Sequence, residues 1–89
     1  MGHFYTQMIG TGINQEAAVS AAIGEFLYEE GARHDVREVL NPTFLKRVPP
    51  KMEVTTRRGR YVYSEQHDNP AAPQEQWLEV WTFELHTHA

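Results

Sequence analysis

The chain is 89 residues long, carries a formal net charge of −4 and is 40% hydrophobic and 22% charged. That is the length of one domain, expected over residues 1–89, and the composition is that of an ordinary globular protein. It has no cysteine, which excludes disulfides, thiolate metal sites and a cysteine nucleophile. The acidic balance argues against general nucleic-acid binding, which needs a basic footprint. No apolar run approaches the roughly 18 residues of a membrane helix, and the start lacks the basic region and apolar core of a signal peptide. The expectation is a cytoplasmic protein without membrane contact. A chain this small buries only about 60% of its extended surface, so it gains from self-association.

Residues 3–9, HFYTQMI, alternate as a strand, with Phe4, Thr6 and Met8 on one side and Tyr5, Gln7 and Ile9 on the other. Met1–Thr6 formally matches an N-myristoylation pattern, but bulky aromatics beside Gly2 fit a first strand better. Gly10-Thr11-Gly12 reads as the turn into a helix; it lacks the spacing of a phosphate fingerprint. Asn14–Gly31 is the clearest element. Asn14 is the expected N-cap, Ile13 and Ala18 a weak hydrophobic staple, and Gly31 the left-handed C′ residue. Val19, Ala22, Ile23, Phe26 and Leu27 form an apolar stripe at helical spacing. Ala17, Ala21 and Gly24 form a small-residue stripe beside it, and Gly24 is expected to mark a close backbone approach, to the helix's own sheet or to a second copy of the helix. Glu29 and Glu30 face the negative pole of the helix. The plain reading is a solvated helix end; the alternative is an acidic patch awaiting a basic partner.

Residues 32–50 are ambiguous. Val36, Val39 and Leu40 have helical spacing with Asp35 as a cap, but the same residues suit an irregular strand, and Asn41-Pro42 is expected to break either. Lys46, Arg47, Lys51, Arg57, Arg58 and Arg60 are six of the eight basic residues. The chain is therefore polarised between an acidic helix end and a basic middle, which pair within one chain or between copies. MEVTTR (52–57) and RYVYSEQ (60–66) read as a hairpin turning at Arg58-Gly59. Residues 67–75 form a proline-rich loop. QWLEVWTFELHT (76–87) is the longest strand, apolar on both sides in its first half, as in a central or partner-covered strand. Together these predict an α+β two-layer sandwich: one main helix on a four-stranded, mostly antiparallel sheet (β-α-x-β-β-β) whose last three strands form a meander.

The chemistry-bearing candidates are few. His3, His86 and His88 could gather at neighbouring strand ends as a divalent-metal site, although a polar terminus is the simpler reading. Glu79 alternates with Trp77 and Trp81 on the long strand, and a carboxylate there needs a partner; Arg57, Arg58 or Arg60 is the expected one. Tyr61, Tyr63, Trp77 and Trp81 exceed what one helix can cover. With Glu79 and Arg58 they are the candidate interface or ligand-stacking set.

The strand ending in GTG, the Asn-x-Glu-Ala-Ala helix start and the long closing strand resemble the dodecin layout of strand, helix and antiparallel strands, over residues 4–26 and 76–85. That resemblance implies a hollow homo-oligomer and flavin as cofactor, though the chain has no tryptophan where dodecins stack their flavin on the second strand, and it has an extra segment at 40–51. RYVYSEQHDNP…EQWLEVWTFEL also looks like the closing hairpin of the cone fold of nuclear-transport-factor-like proteins. The leading expectation is a small non-enzymatic homo-oligomeric binding or assembly module whose aromatic sheet face contacts itself or another protein. The alternatives are a dodecin-like binder of a flat aromatic molecule, and a small oligomeric enzyme using Glu79 or a histidine in a pocket between copies.

Overall fold

The alternating strand at the N-terminus and the capped helix that follows both form, and the helix meets the strand at its glycines. The structure, a computed structural model, describes residues 2–29 and 35–88. Its element order is β1 (His3–Gly12), α1 (Gln15–Glu29), β2 (Asp35–Val48), β3 (Lys51–Arg58), β4 (Tyr61–Asp68), a 3-10 turn at Gln74–Gln76, and β5 (Leu78–His88). The protein is α+β, but its five strands form two sheets: a three-stranded antiparallel sheet ordered β1-β5-β2 and a separate β3-β4 hairpin. The single four-stranded sheet with a closing meander is thus corrected. β5 does not pair with β4, so the cone-fold hairpin is absent as well. β5, whose first half is apolar on both sides, is the central strand, paired along both edges.

α1 starts as its sequence requires. The Ala17 N–H donates to Asn14 Oδ1 at 2.8 Å, satisfying a first-turn donor that the helix cannot satisfy itself. The helix lies mainly over β1 and β5. Its closest line to the sheet is Ala18 and Ala22, flanked by the partly buried Val19, Ile23 and Phe26. Gly10 and Gly12 belong to β1 rather than to a turn. A Cβ on Gly10 would stand 2.0 Å from the Ala18 carbonyl oxygen, and one on Gly12 would stand 2.5 Å from the Ala18 nitrogen. Gly24, by contrast, has open space around its would-be Cβ. The close backbone approach is therefore between strand glycines and helix alanines, and Gly24 takes no part in it. Phe83 and Leu85 are fully buried beneath Ala22, with Met8 and Val39 packed against them. The expected C′ residue Gly31, together with Glu30 and His34, lies outside the described residues.

The ambiguous segment is strand β2, 14 residues long and paired with β5 along its length. Three register shifts interrupt it, between Val36 and Glu38, Leu40 and Thr43, and Phe44 and Lys46. Each inserts extra chain into one strand and resets which face the next side chain takes. Val36 pairs with Thr87, Val39 with Leu85 and Phe44 with Trp81, so residues three and five apart share the helix side of the sheet. That produced the helix-like spacing. Asn41 adopts φ 52°, a left-handed conformation that Asn tolerates better than most residues. The second shift thus absorbs Asn41-Pro42, and the strand continues through them.

Candidate functional site

The hairpin β3-β4 stands away from the main sheet. Gly59 and Arg60 make its two-residue turn, one residue later than the sequence suggested, and Gly59 has φ 58°, as the glycine-first hairpin turn demands. Its base is closed by a Lys51 Nζ–Asp68 Oδ1 contact of 2.6 Å and by the Asn69 N–H donating to the Pro50 carbonyl at 2.9 Å. Register pairs Arg58 with Tyr61, Thr56 with Tyr63, Val54 with Glu65 and Met52 with His67. One face therefore carries Met52, Val54, Tyr61, Tyr63 and Arg58, while Thr55, Arg57, Val62 and Ser64 lie on the other. Every residue of β4 is exposed, Tyr61 to 71% and Tyr63 to 48%. A hairpin of two strands is at best marginally stable in water without something on its face. An open concavity of about 440 Å³ runs along it, lined by Thr56, Arg57, Arg58, Tyr63 and Glu65.

Trp77 and Trp81 are not part of that face, nor of a shared one. Trp77 precedes β5 and donates its indole N–H to the Ala72 carbonyl at 2.9 Å, pinning its own loop. Trp81 lies on the helix side of the sheet opposite Gly10, with Phe44 edge-on to it at 5.7 Å between ring centroids. Its indole N–H donates to Glu79 Oε1 at 2.8 Å, and Arg47 Nη2 donates to Glu79 Oε2 at 3.3 Å. Both carboxylate oxygens are thus engaged. The cation is Arg47 from β2, the strand that pairs with β5, and not Arg57, Arg58 or Arg60 from the hairpin. Glu79 positions Trp81 and ties β2 to β5. The expected aromatic sheet face is therefore corrected: Tyr5 is on the open side of the sheet, Trp81 on the helix side, Trp77 in a loop, and Tyr61 and Tyr63 on the separate hairpin.

The open side of the main sheet gathers histidines. His3 Nδ1 is 3.1 Å from His86 Nε2, and His86 Nδ1 is 3.3 Å from Glu38 Oε1. The ring of His88 is 4.8 Å from that of His3, and Tyr5 stacks on His86 at 4.6 Å. One proton arrangement satisfies both contacts of His86: its Nδ1–H donates to Glu38, and its Nε2 accepts from His3. The three histidines that the sequence suggested are brought together. Among the described residues, however, no group of three or more His, Asp or Glu side chains is placed to hold a metal ion. Glu38 and Tyr5 were missed as members of this cluster. Tyr5 follows from its alternation with His3 along β1, whereas Glu38 is brought to His86 by a register shift that no residue pattern announces. His67 sits apart on the hairpin, where its Nε2 meets Glu65 Oε2 at 3.2 Å.

A second groove, of about 270 Å³, runs between α1 and the free edge of β1. Met8, Ile9 and Phe26 line it, with Glu25 and Glu29 at its rim. This groove lies at or below the small end of pockets that enclose a drug-sized molecule, roughly 300–1,000 Å³. No helix among the described residues is long and apolar enough to cross a membrane. No known family model, curated protein or solved structure matches the chain.

Proposed function

We propose that this chain is a self-assembling, non-enzymatic binding module whose contacts are made by the β3-β4 hairpin. The observation that carries the reading is the uncovered amphipathic face of that hairpin, with Tyr61, Tyr63 and Met52 in solvent. The overall dimensions support it. The Cα radius of gyration is 17.1 Å, against about 12 Å for a compact chain of this length. The accessible surface is 6653 Å², against roughly 5,400 Å² for a compact monomer of this mass. The excess exceeds the ~800 Å² that each partner contributes to a standard interface. Size-exclusion chromatography with light scattering on the untagged protein tests this. A discrete homo-oligomer is expected, and a monodisperse monomer at high concentration would end the reading.

A second reading, a dodecin-like binder of a flat aromatic molecule such as flavin, draws support from a specific patch. Phe44 is 46% exposed beside Trp81, on the part of the sheet the helix leaves uncovered. A helix between a first strand and antiparallel strands also suits it. Absorbance from 280 to 500 nm during the same run, followed by titration of added flavin, separates the two readings. A yellow oligomer, or quenching of flavin fluorescence, favours this one; a colourless oligomer that leaves flavin unchanged favours assembly alone.

A further inference from the structure

The acidic helix end and the basic middle of the chain do not meet within one copy. Glu25 and Glu29 form no ion pair with any described residue, and neither do Arg57, Arg58 and Arg60; the described basic middle pairs instead as Arg47–Glu79 and Lys51–Asp68. Glu25 and Glu29 also sit at the negative end of α1, whose last turn holds no basic residue, so a cation there is favoured twice, by the carboxylates and by the helix dipole.

These unpaired charges mark two surfaces of complementary polarity. The groove between α1 and β1 has an apolar floor of Met8, Ile9 and Phe26 and a carboxylate rim. The tip of the hairpin has the reverse pattern: Tyr61, Tyr63 and Arg58 share one face, with Arg60 in the turn beside them and Arg57 on the opposite face. The edge that borders the groove is open to pairing. β1 is an outer strand, pairs with β5 in an unbroken register and contains no Lys, Arg, Asp, Glu or Pro. The opposite edge, β2, is blunted by three register shifts and by Pro42, the devices that discourage edge pairing.

We propose that the tip of the β3-β4 hairpin of one copy docks in the groove between α1 and the free edge of β1 of the next. Guanidinium groups of Arg58 and Arg60 meet Glu25 and Glu29, the tyrosines cover the apolar floor, and Arg57 on the far face adds its charge at longer range. Donor and acceptor surfaces differ, so the contact is head-to-tail and closes into a ring or reciprocates in a pair. This rests on the self-association proposed above and adds its address.

The test is a charge swap on two exposed surfaces, read by light scattering across a dilution series. One variant carries Arg57→Glu, Arg58→Glu and Arg60→Glu; the other carries Glu25→Arg and Glu29→Arg. Far-UV circular dichroism checks that each keeps the wild-type fold. Each variant alone places like charges in the contact, and its association should weaken by about tenfold or more. An equimolar mixture places opposite charges wherever unlike copies meet and should recover association well above that of either variant alone. Folded variants that keep the wild-type mass, or a mixture that recovers nothing, would overturn the docking while leaving self-association standing. A monomeric wild type would remove both.

Discussion

Substituting alanine at Gly10 and at Gly24 adds the same methyl group and should move stability in opposite directions. At Gly10 the new Cβ would lie 2.0 Å from the Ala18 carbonyl oxygen, 2.8 Å from its carbon and 3.1 Å from the Ala22 Cβ, and ordinary contact begins at 3.4 Å. The obstructing atoms are mainly helix backbone, which has no rotamer to change, so α1 must lift from β1 along its most buried line. Overpacking that forces a backbone shift costs typically 1–3 kcal/mol, and the rigid obstacle puts this case near about 3 kcal/mol. For a domain of this length that corresponds to a fall in Tm of roughly 12–24 °C. At Gly24 nothing lies within 4 Å, so Gly24→Ala gains the helix propensity of alanine, about 1 kcal/mol. Urea unfolding followed by tryptophan fluorescence measures both, at one fixed protein concentration because self-association adds to apparent stability. A Gly10→Ala protein within about 0.5 kcal/mol of wild type, or a destabilised Gly24→Ala, would refute the claim that the helix is seated on the strand glycines.

Substitutions at three further positions probe other parts of the structure by the same assay. Asn14→Ala removes the side chain that accepts from the Ala17 N–H and should cost about 1 kcal/mol, with a matching loss of helical ellipticity. Thr87 is fully buried and its hydroxyl has no hydrogen-bond partner among the described residues; Thr87→Val should raise stability by about 1 kcal/mol, since no bond to them is lost and an unpaired polar group leaves the interior. Asn41→Val places a β-branched residue at φ 52° and removes the Asn41 Nδ2 contact to Glu84 at 3.2 Å; a loss of about 1–3 kcal/mol is expected, and Asn41→Gly should keep the backbone and lose less.

Local signals were legible where local chemistry decides the structure. The N-cap at Asn14, the alternation of β1 and the β3-β4 hairpin each depend on residues a few positions apart. So did the central place of β5, whose first half is apolar on both sides. β2 was illegible for a stated reason: its three register shifts turn a period of two into spacings of three and five, and Asn41-Pro42, a break signal in an unbulged strand, is accommodated by a bulge. Gly10 was read as a turn residue and Gly24 as a contact with its own sheet because a glycine's sequence context does not say what stands opposite it.

The same division holds for the candidate surfaces. The sequence by itself determined that acidic residues cluster at the end of the helix and basic residues in the middle of the chain, and that there are more aromatics than one helix can cover. Only the tertiary structure decided where those groups went. Pairing β5 between β1 and β2 excluded the hairpin from the sheet, so Arg47 reached Glu79, Tyr61 and Tyr63 separated from the tryptophans, and the arginines at the hairpin tip were left without an ion-pair partner among the described residues. Strand pairing is a contest among distant segments for one set of backbone partners. Its outcome depends on which pairings together bury the most surface, a quantity that no short stretch of residues contains.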